Sequence, residues 1–397
     1  MKYLLTIIIL SVTVTSVHAA DIQVNNSGLP GTYTTITAAL SAALPNDRIF
    51  VSPFSVYTEN LNIVQNVTIT SAVSGTRFSV IGTLTITGSP NMNVKVIGAE
   101  LSSSITATTG SATSGAHAQI YIVDTECVAI TGGDYNEMHI LFCETSSTSS
   151  TWTIKHGEMR GCDVAYIVVS DGPSSAVGDT VFLVANIGKR ITWNNDDNYF
   201  FIANNYMNYG AATYSCYIAK ILFSIGNDNV FRNNTLVSTG ATVASAPLQF
   251  LNTAGVDWSN ILMYNNVLES AGVYSSSCGS SSCLVAAANQ PQSFYNRRSG
   301  STDYFGQSII GDVDGATAID ALGRALTAAA IDAGAPDLIY YDIDVTRGDQ
   351  GTYGGPYSID NYTNTASGSA RIFDLKMPFE IWTGQTPQVK AEATHTN

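Results

Sequence analysis

Three short stretches of the sequence place a pair of asparagines between apolar residues: IANNYM (202–207), FRNNTL (231–236) and MYNNVL (263–268). The first Asn recurs after 29 residues, from Asn204 to Asn233, and again after 32 residues, at Asn265. Repeats of about 20 to 50 residues are typical of solenoids, in which each repeat stacks on the last. We therefore predict that the amides lie at one turn of successive coils.

The rest of the chain between residues 20 and 357 fits the same architecture. Short runs rich in β-forming residues, such as LTITG, VKVIG, IYIVD and VFLVA, are separated by Gly, Ser, Asn and Asp. Long helical patterns, which would connect parallel strands, do not intervene, and Asn-Gly hairpin turns are few. One short amphipathic helix is predicted at about residues 34–44, because apolar residues recur there at helical spacing. The sequence thus predicts an all-β solenoid.

The turn that carries the Asn pairs can be followed backwards through the chain. Residues that tolerate a left-handed backbone, or a small neighbour of one, fill the corresponding slot in earlier runs. These earlier pairs are predicted to be Gly98-Ala99, Asp124-Thr125, His156-Gly157 and Ala185-Asn186. We expect one residue of each later pair (Asn204 or Asn205, Asn233 or Asn234, Asn265 or Asn266) to form a row with about 4.8 Å between coils.

The low share of charged residues and the negative net charge limit the classes of molecule that the protein is expected to bind. Only 12% of the 397 residues are charged, and the formal net charge is −14. Nucleic acid is not an expected partner, because phosphate binding requires clustered Lys and Arg. Polysaccharide is a candidate partner.

The N-terminus has the pattern of a secretory signal. Lys2 precedes an apolar run, and Val17-His18-Ala19 forms a small-x-small cleavage site, so residues 1–19 are predicted to be a signal peptide. Outside this segment the sequence has no apolar run long enough to span a bilayer, so we expect a secreted or cell-surface protein without a stable membrane span. Export permits disulfides, and Cys278 and Cys283, which flank a polar GSSS loop, are the best candidate pair.

Two further stretches carry a family resemblance. Residues 31–63 contain the predicted helix, a strand and the Tyr57-Thr58-Glu59 triplet, and residues 330–356 read AIDAGAPDLIYYDIDVTRGDQGTYGGP. They resemble the opening and closing segments of secreted right-handed parallel β-helix proteins of the pectate-lyase-like superfamily. The resemblance implies a right-handed parallel β-helix with an N-terminal capping helix. It leaves function open, because the superfamily includes lyases, hydrolases, adhesins and surface structures.

The closing segment also contains a weak candidate calcium site. Asp342, Asp344 and Asp349 offer the hard oxygen ligands that calcium prefers. The favoured alternative is a turn in which Arg347 pairs with these carboxylates and closes the last coil. Calcium therefore stays an open alternative, and other cofactors are not expected.

Catalytic residues are not evident in the sequence. The best enzymatic set consists of His156, Asp196, Asp197 and Arg232, provided that their coils stack in register. His156 is more simply a turn residue, and Asp196 and Asp197 more simply belong to a polar loop. We therefore favour a non-enzymatic function, with a polysaccharide-binding or polysaccharide-cleaving enzyme as the alternative.

The composition changes after the predicted solenoid. Residues 358–370 form a Ser/Thr/Asn linker, and residues 371–397 are predicted to be a β tail, similar to a donor strand or a partial immunoglobulin-like module. Two strands alone cannot bury a core, so the tail must dock on its own chain or on another copy. The sequence favours a secreted structural or adhesive protein, a subunit of a filament or surface matrix that self-associates through residues 371–397.

Overall fold

The computed structural model of the chain confirms a parallel β-helix. It describes residues 19–109, 117–172, 179–210, 214–224, 228–239, 246–251, 257–270, 276–277, 289–299, 307–337, 340–342, 344–362, 370–376 and 390–395.

Two long parallel sheets make up the body of the molecule. In sheet A, each of 13 strands pairs with the strand one coil away. Its strands are Asp21–Val24, Asp47–Val51, Val67–Ser71, Asn93–Ile97, Ala118–Val123, Asn136–Leu141, His156–Arg160, Thr180–Val184, Tyr199–Ala203, Asn229–Arg232, Ile261–Tyr264, Gln292–Phe294 and Gln307–Ile310.

Sheet B has 20 strands and supplies the other sides of each coil. Its strands are Val56–Thr58, Leu61–Ile63, Phe78–Ile81, Leu84–Gly88, Ala99–Leu101, Ile105–Thr109, Glu126–Cys127, Ile130–Thr131, Glu144–Thr145, Thr151–Ile154, Asp163–Ser170, Ile187–Asn194, Tyr206–Gly210, Cys216–Ile218, Thr235–Ser238, Leu248–Phe250, Val267–Ser270, Ser276–Ser277, Arg297–Arg298 and Val313–Asp314.

The core is built from columns of apolar side chains, one per coil. Because side chains alternate along a strand, every second residue of sheet A points inward, and the parallel register stacks these residues on one another. One column is almost fully buried over ten coils: Ile49, Ile69, Val96, Ile122, Ile140, Met159, Leu183, Ile202, Phe231 and Met263. The apolar side chains of a column stack only when each coil keeps the same register as the last. The Asn pairs therefore recur at nearly equal intervals.

The N-terminal helix spans Ile36–Ala42, within the range that the sequence predicts. The side chain of Thr35 caps it by accepting a hydrogen bond from the Ala38 backbone N–H. Both carboxylate oxygens of Glu59 accept further N–H groups of the first turn, from Ile36 and Thr37, each at 2.8 Å. The Tyr57-Thr58-Glu59 triplet thus has a structural role, which is to hold the helix at the end of the coils.

Residues 317–337, 340–342 and 344–362 turn back and run along the outside of earlier coils; we call these residues the strap. Thr317 contacts the coil of Arg297, Ala335 that of Asn265, Gly354 that of Asn204, and Tyr362 packs on Phe142. The expectation that residues 330–356 close the last coil is therefore wrong. The segment covers a row of turns, because their Asn side chains offer hydrogen bonds to its backbone.

Charged groups end the core at its C-terminal side. Met207, Leu236 and Leu268 form an inward column, and the next two residues in register are Arg298 and Asp314. The Arg298 Nε donates to Asp314 Oδ1 at 2.9 Å. An ion pair at the end of an apolar column disfavours stacking of another core on it, because both charges would lose water.

The C-terminal tail contains an antiparallel pair of strands, Ala370–Lys376 and Lys390–His395. Within the described chain, these strands pair with each other and with neither long sheet.

Candidate functional site

The first Asn of each pair occupies a left-handed turn. The φ angles of Asn204, Asn233 and Asn265 are 56°, 52° and 54°. Asn tolerates this conformation better than most residues with a side chain, because its short amide forms local hydrogen bonds. The first Asn therefore shapes the backbone.

The second Asn of each pair joins a buried amide ladder along the axis. Each Oδ1 accepts both the backbone N–H and the Nδ2–H of the Asn one coil earlier. The Nδ2···Oδ1 distances are 2.9 Å for Asn186–Asn205, 2.9 Å for Asn205–Asn234, 3.0 Å for Asn234–Asn266 and 2.8 Å for Asn266–Asn296. These five Asn residues are fully buried.

Each ladder amide also binds the backbone of a preceding coil. The Asn234 Nδ2, for example, donates to the Ile202 carbonyl at 2.9 Å. The ladder ends at Asp312, whose Oδ1 accepts the Asn296 backbone N–H at 2.8 Å. A carboxylate accepts hydrogen bonds but does not donate, so it cannot continue the chain of amides.

The sequence pattern identified three rungs of the ladder as Asn pairs, and the structure adds Asn296, which follows a left-handed Tyr295. Asn186, which belongs to the predicted Ala185-Asn186 pair, follows the left-handed Ala185 and begins the ladder. An Asn after a non-Asn turn residue gives a weaker sequence signal than a pair does.

The predicted turn at His156-Gly157 is wrong. His156 begins the strand His156–Arg160, and the turn of that coil is formed by Gly161, with φ 63°, and Cys162. In the coil before it, Phe142 and Cys143 fill the slot. The thiols of these two cysteines donate weakly to carbonyls one coil earlier, where later coils use amides.

The strap binds the outward side of the turn row. Asn204 Nδ2 donates to the carbonyls of Thr352 and Gly354, at 3.0 and 2.7 Å, and Asn233 Nδ2 donates to that of Asp349 at 3.1 Å. The Asn265 Oδ1 accepts the Ala335 backbone N–H at 2.7 Å. The two members of each pair thus have different roles: the side chain of the first binds the strap, and that of the second binds the next coil.

Outer side chains of sheet A also stack between coils. His139 contacts Glu158 through Nδ1 and Gln119 through Nε2, each at 2.8 Å, and its ring stacks on that of Tyr121 at 4.3 Å. Such contacts add further connections along the axis.

The four residues of the enzymatic alternative do not form one site. Arg232 ends a strand that pairs with Tyr199–Ala203 and lies beside Ala203, whereas Asp197 precedes Tyr199. The two residues are therefore separated by at least the length of Tyr199–Ala203, roughly 13 Å at about 3.3 Å per residue. Arg232 lies over the rings of Phe201 and Tyr357, at 4.8 and 5.0 Å from the centroids.

His156 is buried and faces amides and another imidazole. Its Nδ1 lies 3.1 Å from the Asn198 Nδ2, and its ring centroid is 5.0 Å from that of His117. Burial, with a smaller repulsion from His117, lowers the pKa of His156 to about 4. The imidazole is therefore neutral at neutral pH.

Asp196 and Asp197 lie in an acidic group with Asp171, in which one carboxylate oxygen from each residue is within 4.8 Å of the others. Lys220 binds Asp171 through a hydrogen bond and lies 3.8 Å from Asp196. Burial and the neighbouring carboxylates raise the pKa of Asp197. The lysine supplies the counter-charge, so the group is explained as an ion-pair cluster.

In the described part of the chain, the weak calcium candidates Asp342, Asp344 and Asp349 do not form a group with carboxylate oxygens within 4.8 Å of one another. The Asp342 Oδ1 accepts the Gly355 backbone N–H at 2.5 Å, and burial raises the pKa of this carboxyl to about 6. Asp344 binds Thr346, and Asp349 accepts the Asp332 backbone N–H at 2.9 Å. The expected pairing of Arg347 with these carboxylates is also wrong, since Arg347 donates to the Gly334 carbonyl and lies over Tyr295.

Four cysteines, Cys127, Cys143, Cys162 and Cys216, are buried free thiols. Burial raises the pKa of the Cys127 and Cys216 thiols, which makes both poorly reactive. The predicted Cys278–Cys283 disulfide lies outside the described residues.

A tyrosine-lined groove of about 660 Å³ opens on sheet B; we call it the tyrosine groove. It is lined by Tyr166, Lys189, Tyr206, Asn208, Tyr209, Gly210 and Ala321. Sequence inspection missed it because its lining residues come from three different coils and from the strap.

The chain matches no protein-family model and no curated protein. Membership of the pectate-lyase-like superfamily therefore stays a prediction. Across the described residues, the structure contains no helix long and apolar enough to cross a membrane.

Proposed function

We propose that the chain is a secreted structural and adhesive β-helix that serves as a subunit of an extracellular filament or surface matrix. The observation that carries the proposal is the strapped amide ladder. Its buried hydrogen bonds run along the axis, from Asn186 to Asp312, and they join successive coils without converging on a cleft.

Low charge supports the same function. Only 12% of all residues are charged, so most polar side chains of the chain are uncharged. Such a surface carries many hydrogen-bonding groups at little cost in desolvation of ions, which suits contact with other surfaces.

The ends of the molecule favour assembly through the tail. The Arg298–Asp314 ion pair disfavours core-to-core stacking at the C-terminal side, and Glu59 holds a helix at the N-terminal side. The tail strands Ala370–Lys376 and Lys390–His395 leave outer edges that pair with neither long sheet within the described chain. Strand edges of this kind recruit other chains.

Electron microscopy and light scattering of the purified mature protein test the proposal. We expect regular polymers from the full chain and monomers after deletion of residues 366–397. The matched control replaces the tail with a Gly/Ser segment of equal length. A full chain that stays monomeric at high concentration would contradict filament formation, and polymers that persist without the tail would contradict the tail as the connection.

The tyrosine groove favours a second candidate, a protein that binds or cleaves polysaccharide. Incubation with acidic and neutral polysaccharides, with and without calcium, tests cleavage through the release of new chain ends. Turnover that is lost in Lys189→Gln or Tyr209→Ala, which change the lining of the groove, would replace the structural proposal with an enzymatic one.

A further inference from the structure

The most deeply buried acidic residue of the described chain lies at its N-terminal end. Asp47 is 3% exposed and begins the strand Asp47–Val51. Its Oδ1 accepts the backbone N–H of Ala20 at 2.7 Å, and its Oδ2 accepts that of Leu44 at 2.8 Å. The carboxylate therefore connects the residue before the first strand to the chain that leaves the N-terminal helix.

This carboxylate has no cationic side chain as a partner. Among the described residues only one other acidic residue is buried, Asp124, and it pairs with Arg77 at 2.9 Å. In the same part of the chain, no Lys, Arg or His side chain forms an ion pair with Asp47, and the neighbouring Arg48 binds Asp21 instead. Two backbone N–H groups stabilise a buried carboxylate in part, but a buried charge without a counter-charge stays costly.

The residue that faces this carboxylate also follows the predicted signal-peptide cleavage site. The sequence places the cut between Ala19 and Ala20. Both alanines are exposed, and Ala20 is held on its other side as well, because its carbonyl accepts the Arg48 backbone N–H at 2.9 Å. The nitrogen that the cut would free is therefore the atom that donates to Asp47.

We propose that cleavage between Ala19 and Ala20 supplies the missing counter-charge, because the new α-ammonium group of Ala20 forms an ion pair with Asp47 and fastens the first coil. A signal peptidase catalyses the hydrolysis. The C–N bond breaks, the oxygen of water joins the Ala19 carbon to give a carboxylate, and both protons go to the Ala20 nitrogen to give an ammonium.

The existing geometry suits this ion pair. A hydrogen bond from an ammonium to a carboxylate is about 2.7–2.9 Å long, and the Ala20 nitrogen already lies 2.7 Å from Asp47 Oδ1. The uncleaved chain offers only a neutral N–H at this position, so its first coil should be held less firmly. The inference rests on the export that the proposed function includes, but not on filament formation.

Mass spectrometry of the exported protein tests the cleavage. We expect a mature chain that begins at Ala20. A chain that begins at any other residue would overturn the proposal. A second preparation of the mature chain, released from an N-terminal fusion so that Ala20 comes first, tests the ion pair independently of export.

An NMR titration of the Ala20 α-amino group measures the ion pair directly. Its pKa should lie at least about one pH unit above the usual range of about 7.7–8.0, and Asp47→Asn should return it to that range. The other charged groups beside Ala20 are Asp21 and Arg48, which bind each other. Asp21→Asn is therefore the matched control, and it should change this pKa much less.

Hydrogen exchange of the Arg48 backbone amide reports how firmly the first coil is held, since this amide donates to the Ala20 carbonyl. Acetylation of the Ala20 nitrogen restores the neutral amide of the uncleaved chain, and it should speed this exchange at least about tenfold in the wild type. In Asp47→Asn, acetylation should have little effect.

The wild-type measurements decide the matter even if Asp47→Asn does not fold. An ordinary pKa of the α-amino group, or equal exchange in the free and acetylated chains, would overturn the proposal even for a protein that forms filaments. A raised pKa in a chain that stays monomeric would support the ion pair and refute only the filament.

Discussion

Replacing Asn234 with Ala should break the buried amide ladder at its centre, because it removes the side-chain hydrogen bonds of the middle Asn. The side chain makes four buried hydrogen bonds. Its Nδ2 donates to the Ile202 carbonyl and the Asn266 Oδ1, and its Oδ1 accepts the backbone N–H and the Nδ2 of Asn205. At about 1 kcal/mol net for each hydrogen bond, the substitution should cost about 4 kcal/mol.

Hydrogen exchange of the Asn205 backbone amide reports this loss locally. That amide donates to the Asn234 Oδ1 at 3.0 Å. A change of about 4 kcal/mol in local opening corresponds to nearly a thousandfold faster exchange, because about 1.4 kcal/mol is a factor of ten. A local probe is appropriate, since long repeat arrays depart from two-state unfolding.

Two variants sharpen the experiment. Asn62→Ala is the control, because this side chain is exposed and makes one long hydrogen bond at 3.5 Å. Asn234→Asp keeps the shape but places a carboxylate against two acceptors, so its folded pKa should be raised. The folded state then binds more protons than the unfolded state, and the variant should regain stability as the pH falls from 7 towards 4. Unchanged exchange at Asn205 in Asn234→Ala would refute the ladder as a source of stability.

Substitutions at two further positions, His156 and Asn204, test other parts of the structure. The pKa of His156 is about 4 when folded and about 6.5 when unfolded, so the unfolded state binds more protons between these values. Acidification to pH 4 should therefore cost up to about 3 kcal/mol, and His156→Gln should lose less thermal stability than the wild type over this window. Asn204→Gly keeps the left-handed turn but loses two hydrogen bonds to the strap, about 2 kcal/mol. Asn204→Ala should lose about 1 kcal/mol more, because Ala disfavours positive φ. Hydrogen exchange of the Asn204 backbone amide, which donates to the Arg232 carbonyl, measures both losses locally, and equal protection in the Gly and Ala variants would contradict the role of the turn.

The periodic pattern was enough to predict the parallel β-helix, since stacked coils require the same inward columns at each rung. The three Asn pairs marked their turn for the same reason: a left-handed backbone position and a buried polar slot each restrict the residue type. The register failed at His156-Gly157 because a local His-Gly pair resembles a turn, whereas the packing of Met159 against Ile140 and Leu183 fixes the turn at Gly161-Cys162.

The tertiary structure alone decided where distant segments meet. Nothing local in residues 330–356 indicates that they bind turns 70 or more residues earlier, because the contacts are made by backbone groups, which leave no pattern of side chains in the sequence. The tyrosine groove depends in the same way on stacking, because Tyr166, Lys189 and Tyr209 come from three different coils. The sequence by itself determined the repeating turn and its amides, because each coil carries that restriction in its own residues. The strap and the groove arise only when the coils are stacked, because their contacts join residues that are far apart in the chain.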